Sequence, residues 1–338
     1  MKVIYYLFAL FIAIIFISCG VTDSENNAIQ PGRRDYVWEV DTLNIPFTNL
    51  TRIWGSSSSD VWTIGPGGDK DKTIYRFNGK RWRNDGISRP LAPTAIWGSS
   101  ANNVWIGGRG GDLWLFDGLS LKKHTTLIAT DYSWISIENI WGDSENNIYA
   151  VGFAEQENKY KALLAKYDGS SWSIVNLPEI RNSFVKIYRG INSSNDYFIY
   201  GFRSEQLSID TNKIYTWNGT TLKELVSAVQ SVNIQKINNE MFIIQGNDLY
   251  KYKSNKLSFF TTIPNENFLH AIWGKSEKDI FFGMTDGIVH YNGDDFKYLV
   301  NFNQGISLTG AVLFNDEVFF MAYDFNKSLN LIFRGKLK

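Results

Sequence analysis

A single cysteine, Cys19, occurs in the 338 residues, so no intrachain disulfide can form. If that thiol carries a lipid, the folded part has no thiolate metal site and no redox chemistry. Charge of neither sign is in excess: 34 Lys and Arg balance 34 Asp and Glu. A nucleic acid or other polyanion is therefore not an expected partner. The three histidines (124, 270 and 290) stand far apart, without metal-ligand spacing, so no metal is expected. There is no helix-period run, no low-complexity block, no Gly-x-Ser-x-Gly and no phosphate loop. Gly107-Gly108-Arg109-Gly110-Gly111 lies between strand-like runs rather than at a strand-to-helix crossover, so it reads as a turn. No cofactor is expected.

One long apolar run is present, Val3 to Ile17. Its 15 residues fall short of the roughly 20 that span a bilayer as a helix. With Lys2 before it and Ser18-Cys19-Gly20 after it, residues 1–18 read as a signal peptide. The Cys that follows resembles the lipobox of bacterial lipoproteins, although Phe16 stands where Leu is usual. That resemblance implies acylation of Cys19, a tether over 19–35, and a lipid anchor in the outer membrane. Gly20 resembles an outer-membrane retention signal, and Asp23 and Glu25 echo the acidic surface-export signal of Bacteroidota lipoproteins. The tether, GVTDSENNAIQPGRRD, has few large apolar groups and a Pro-Gly pair.

What the chain has in abundance is a repeat. Thr51 to Trp82 contains IWGSSSSDVWTIG and IYRFNG; Thr94 to Leu121 contains IWGSSANNVWIGG and LWLFDG. Each unit holds four runs of β-branched and aromatic residues, bounded by Gly, Ser, Asn or Asp. Asn-Gly or Asp-Gly before the fourth run predicts a type I′ hairpin. The Trp of the IWG tripeptide stands at 54, 97, 141 and 273. The first two intervals are 43 and 44 residues, and the third, 132, is three such periods. Two eroded units fill that gap, around Ile187 to Phe198 and Ile234 to Ile244. A seventh follows, from Ala311 to Phe333, and lacks a fourth strand. Tyr36 to Val40 reads as that missing strand. The expectation is an all-β, seven-bladed β-propeller over 36–338, with four-stranded antiparallel blades and the N-terminal strand completing the last.

The repeated Trp residues could be sugar-stacking platforms. Recurrence beside Gly55, Gly98, Gly142 and Gly274 instead marks them as packing groups between blades, with Gly permitting close approach. Asp60, Asn102, Asn103, Asn146, Asn147, Asp196 and Asp279 precede second strands and read as turn caps rather than a calcium site. The Asp-box of sialidases is absent.

With the four runs of a unit lettered a to d, function then belongs to the face shared by the b–c loops and the d–a connections between blades. The b–c stretches Pro66–Lys72, Phe153–Lys161, Phe202–Asn212 and Tyr323–Ser328 are the long ones. The connection containing Asp131, Tyr132 and Trp134, with Arg109 and Arg203, is the candidate binding site, since Tyr and Trp favour binding surfaces.

The units resemble a repeat of bacterial secreted and envelope proteins, roughly W-G-S-S-x-x-D-V-W-x-x-G. It looks related to the propellers of photosystem assembly factors and other non-catalytic scaffolds. The resemblance implies a monomeric, non-enzymatic module for an envelope protein partner. Alternatives are a surface glycan-binding protein and, less favoured, a polysaccharide lyase or glycosidase.

Overall fold

The computed structural model describes residues 29–338 apart from 46, 131, 158, 191–195 and 204–210, with backbone alone at 159, 203 and 211. Cys19, the signal segment and most of the tether lie outside the described residues. The chain divides between Gln30 and Pro31, and the second unit is a seven-bladed β-propeller. The described residues contain no helix.

Each blade is a four-stranded antiparallel sheet whose strands a to d follow in order. The a strands are Arg52–Ser57, Pro93–Ser100, Trp134–Ser144, Ser183–Arg189, Val232–Ile237, Phe268–Ser276 and Ile306–Leu313. They touch one another in cyclic order, the seventh against the first, and so surround the axis. The b strands lie between layers on both sides. Asp60–Ile64 and Asp279–Met284 are buried at every residue, as a doubly covered strand requires. In blade 7, Tyr36–Leu43 lies antiparallel to Leu329–Leu337, with Tyr36 opposite Leu337 and Leu43 opposite Asn330.

The IWG tryptophans are packing groups, but half-buried ones. A β-carbon added at Gly98 would stand 2.6 Å from Trp54 Cζ2. The fully covered indoles sit elsewhere, on b and c strands: Trp105, Trp62 and Trp217.

The c–d turns differ from the type I′ expectation. At Asn78, Asp117, Asp168, Asn218 and Asn292 the side-chain oxygen accepts the N–H groups two and three residues on. The following Gly has positive φ, as at Gly79 (83°), while Asn78 does not. The side chain takes the place of a second left-handed residue. Two consecutive left-handed residues occur in blade 5 at Ser254 (51°) and Asn255 (60°), where the repeat has lost its Asn-Gly.

Two expected loops are strand. Trp134 opens an a strand opposite Glu155. Strands Asn147–Gln156 and Lys159–Tyr167 pair without a break down to Gln156 and Lys159, so Phe153–Lys161 is a projecting hairpin.

Candidate functional site

The loop face gathers part of the predicted set. Tyr132 follows a turn in which its N–H donates to Ala129 O at 3.3 Å. Its ring is half-buried against the core of blades 2 and 3, with Lys161 Nζ 6.0 Å from the ring centroid. Trp134 meets Phe153 edge-on at 5.6 Å, and Phe153 meets Tyr160 at 5.7 Å. Arg109 bridges to Ser136 through its backbone, and its exposed side chain has no partner among the described residues. The Gly-rich turn around it uses its donors internally: Arg109 N–H on Ala92 O and Gly110 N–H on Ile135 O. Arg203 ends a strand of blade 4 opposite Thr211, and its side chain lies outside the described residues, as does Asp131.

Several large exposed hydrophobics lie on this same face, while Val37, Val40, Ile174, Leu257 and Phe259 lie on outer d strands. Phe47 (93% exposed), Ile87, Ile128, Phe202, Val229 and Phe325 all sit in or at the ends of b–c and d–a segments. On the opposite face stands Leu119, in a c–d turn. Two open cavities also lie on the loop face. One, of about 510 Å³, runs between blades 6 and 7 and is lined by Asn267, Asp286, Phe302 and Phe325. The other, of about 570 Å³, is lined by Arg181, Asn182, Lys213, Tyr215 and Glu224.

The a strands hold polar groups not foreseen from sequence. At one rung of the ring stand Arg52, Ala95, Asn139, Lys186, Asn233, Ala271 and Gly310, each aligned by its partner on strand b. Most polar groups here bind the backbone of another blade. Asn139 Oδ1 accepts Ile187 N–H at 3.1 Å, Asn233 Nδ2 donates to His270 O at 2.9 Å, and Thr94 Oγ1 donates to Ile137 O. Arg52 crosses from blade 1 to blade 3, donating to Glu138 O at 3.3 Å, with Glu138 Oε2 at 3.9 Å. These bonds satisfy polar groups on inner edges that have no neighbouring strand to pair with.

Lys186 is the exception, with no hydrogen bond or ion pair among the described residues. Burial, with Arg52 facing it, lowers its ammonium to about 8. Burial raises the Tyr188 phenol beside it to about 12, and its OH donates to Gln235 Oε1 at 3.4 Å. Yet Arg52 and Glu138 are still 36% and 21% exposed. Surrounding protein penalises charge while solvent still reaches the groups, as in a narrow axial channel. A signal for this was present: the residue before the Ile of each unit is Arg52, Ala95, Asn139, Lys186, Asn233 and Ala271 in turn, the variable position in an otherwise regular motif.

The recurrent acids before strand b tie together the strands of their own blade. Asp60 accepts from Ser56 Oγ (2.6 Å), Trp62 Nε1 (3.1 Å) and Arg76 Nε (2.5 Å). Asp279 lies 2.8 Å from His290 Nε2 and 3.2 Å from Lys275 Nζ. These are side-chain networks, more than the turn caps expected. His290 is fully buried, and Arg34 Nε donates to its Nδ1 at 3.1 Å. His124 lies edge-on to Trp105 at 4.8 Å, and His270 occupies a bulge at φ 55°. No group of three or more His, Cys, Asp or Glu among the described residues could hold a metal ion.

No family model matches the chain, and no curated protein matches it. Solved structures do. YCF48 bound to a D1 peptide has a TM-score of 0.65 at 13% identity, covering 91% of this chain and 99% of that one. The WD40 β-propeller domain of Doa1 has a TM-score of 0.61 at 11% identity, covering 88% and 97%. The extracellular domain of a putative hybrid two-component system from B. thetaiotaomicron has a TM-score of 0.58 at 12% identity, covering 88% of this chain and 42% of that one. At these identities the likeness is one of fold.

Proposed function

We propose that this propeller is a non-enzymatic binding module that offers its b–c and d–a face to a protein partner. The observation that carries the reading is the set of large exposed hydrophobics in the loops of that face, Phe47, Ile128, Val229 and Phe325, against Leu119 alone among the described residues of the c–d turns. Apolar groups gathered on one face mark interaction surfaces. The YCF48 structure, titled as bound to a D1 peptide, gives a precedent for a peptide on this fold.

The module is held at the envelope, in this reading, by a lipid on Cys19 after removal of residues 1–18. The tether then links the outer membrane to the ring. Labelling with a fatty-acid analogue should mark the wild type and not Cys19→Ser.

A photo-crosslinking amino acid placed at Ile128, and separately at Leu119, tests the binding face in cells. One protein captured from position 128 and not from position 119 supports the reading. Equal capture from both, or none from 128, removes it. A glycan partner replaces the protein if added oligosaccharide abolishes capture. Turnover of a polysaccharide panel would make the protein an enzyme.

A further inference from the structure

Blades 1 and 4 are not neighbours in the ring, yet Arg52 and Lys186 stand at the same rung; Arg52 reaches across to Glu138 O of blade 3, whose neighbour Asn139 accepts Ile187 N–H beside Lys186. Ala95, Ala271 and Gly310 occupy that rung in three other blades, so no further charge joins the two cations from those positions. The nearest carboxylate, Glu138, reaches Arg52 at 3.9 Å and accepts Ser136 Oγ at 2.5 Å. Two cations and one carboxylate leave one positive charge without a counterion. Tyr188 follows Lys186 two residues on along the same strand, with its hydroxyl donating to Gln235 Oε1. Of the other charged groups nearby, Arg189 pairs with Asp143 at 2.6 Å, and Lys236 feels both.

We propose that the axial channel is an anion site that takes a carboxylate between the Arg52 guanidinium and the Lys186 ammonium. A singly charged oxyanion matches the unbalanced charge, and a guanidinium beside an ammonium offers several N–H donors to its two oxygens. The carboxylate can come from a free organic acid or from an acidic side chain that a partner inserts from the loop face. The site does not depend on what docks on that face.

Binding a carboxylate must raise the Lys186 pKa, because an adjacent negative charge favours the ammonium. The test follows the ε-methylene carbons of labelled lysines by NMR in the wild-type protein, with Lys186→Met assigning the signal. Acetate, succinate, inorganic phosphate and a blocked Gly-Asp-Gly tripeptide are added in separate arms. The expected result is a saturable upward shift of the Lys186 titration. Affinity should fall about tenfold or more between pH 7 and pH 10, as the amine loses its charge. Arg52→Met should abolish the shift, and Glu138→Gln should strengthen binding by removing the competing charge. A response to the free acids makes this a small-molecule site. A response to the tripeptide alone assigns it to a partner's side chain. No shift in any arm, or phosphate binding more tightly than every carboxylate, overturns the proposal.

Discussion

The indole of Trp97 ends against the backbone of the next blade at Gly142. A β-carbon added at Gly142 would stand 2.7 Å from Trp97 Cη2 and 3.1 Å from Asn147 O. The blades approach more closely than any side chain at 142 would allow. Gly142→Ala should therefore cost about 1–3 kcal/mol, the usual range for overpacking. Trp97→Ala should cost less than the roughly 3–5 kcal/mol of a fully buried aromatic, because the ring is half-buried. In the double variant the clash partner is gone, so the two losses should sum to more than the combined loss. Urea unfolding of the four proteins measures the cycle, and strict additivity would show that the contact carries no coupling.

The c–d turns predict a chemical equivalence. Asn218 Oδ1 accepts the N–H groups of Thr220 and Thr221, a task a carboxylate performs as well at Asp168. Asn218→Asp should leave stability unchanged within error, whereas Asn218→Ala should cost about 1 kcal/mol, comparable to loss of a helix cap. The same bonds hold the exposed Asp168 carboxyl at about 2. Its contribution is complete above pH 3.8 and is lost as pH falls toward 2. Calorimetry of the variants and carboxyl NMR of Asp168 read both.

His290 gives a pH dependence of its own. Arg34 donates to Nδ1, so the proton of the neutral ring sits on Nε2 and points at Asp279. Burial is the main cause that pushes the ring below its ordinary value, with Asp279 pulling the other way. The unfolded ring takes up a proton near pH 6.5, and the folded one does so lower. Stability is thus complete above pH 6.5 and falls below it, by at most about 1.4 kcal/mol per pH unit. Arg34→Ala frees Nδ1 and removes a like charge, so the imidazole should titrate at higher pH. NMR of the ring protons measures both values; an unchanged titration in the variant would refute the contact's role.

The strand Tyr36–Leu43 covers an edge that would otherwise be bare. Deleting it exposes the ladder of Leu329–Leu337 and breaks the Arg334–Glu39 ion pair. The truncated protein should melt well below the full chain and self-associate through the open edge. A synthetic peptide of residues 36–43 should restore the melting temperature. Unchanged melting on deletion would mean that the ring closes without it.

Much of the fold could be read from Trp54, Trp97, Trp141 and Trp273, because a ring repeats its packing and the period carries the blade count. Turn geometry was less legible. A side-chain acceptor and a second left-handed residue solve the same problem, and Asn-Gly permits either. The candidate site was legible in part. Trp134 and Tyr132 do lie on the loop face, but pairing with Glu155 draws Trp134 into a strand and core contact half-covers Tyr132. Arg52 and Lys186 were hidden because single positions of different units carry no local pattern. They become neighbours only when non-adjacent blades are drawn around an axis.

The pairing of Glu39 with Arg334, 295 residues apart, bears on how the molecule comes to be folded. Within each of the other six blades all four strands are consecutive, so each can form as its own stretch of chain is synthesised. The seventh has to wait, because its outer strand is made first and its inner three last. Closing so long a loop is slow relative to forming a local meander. A nascent chain therefore carries an unpaired strand through nearly the whole of its synthesis. The final event of folding joins the two ends of the domain.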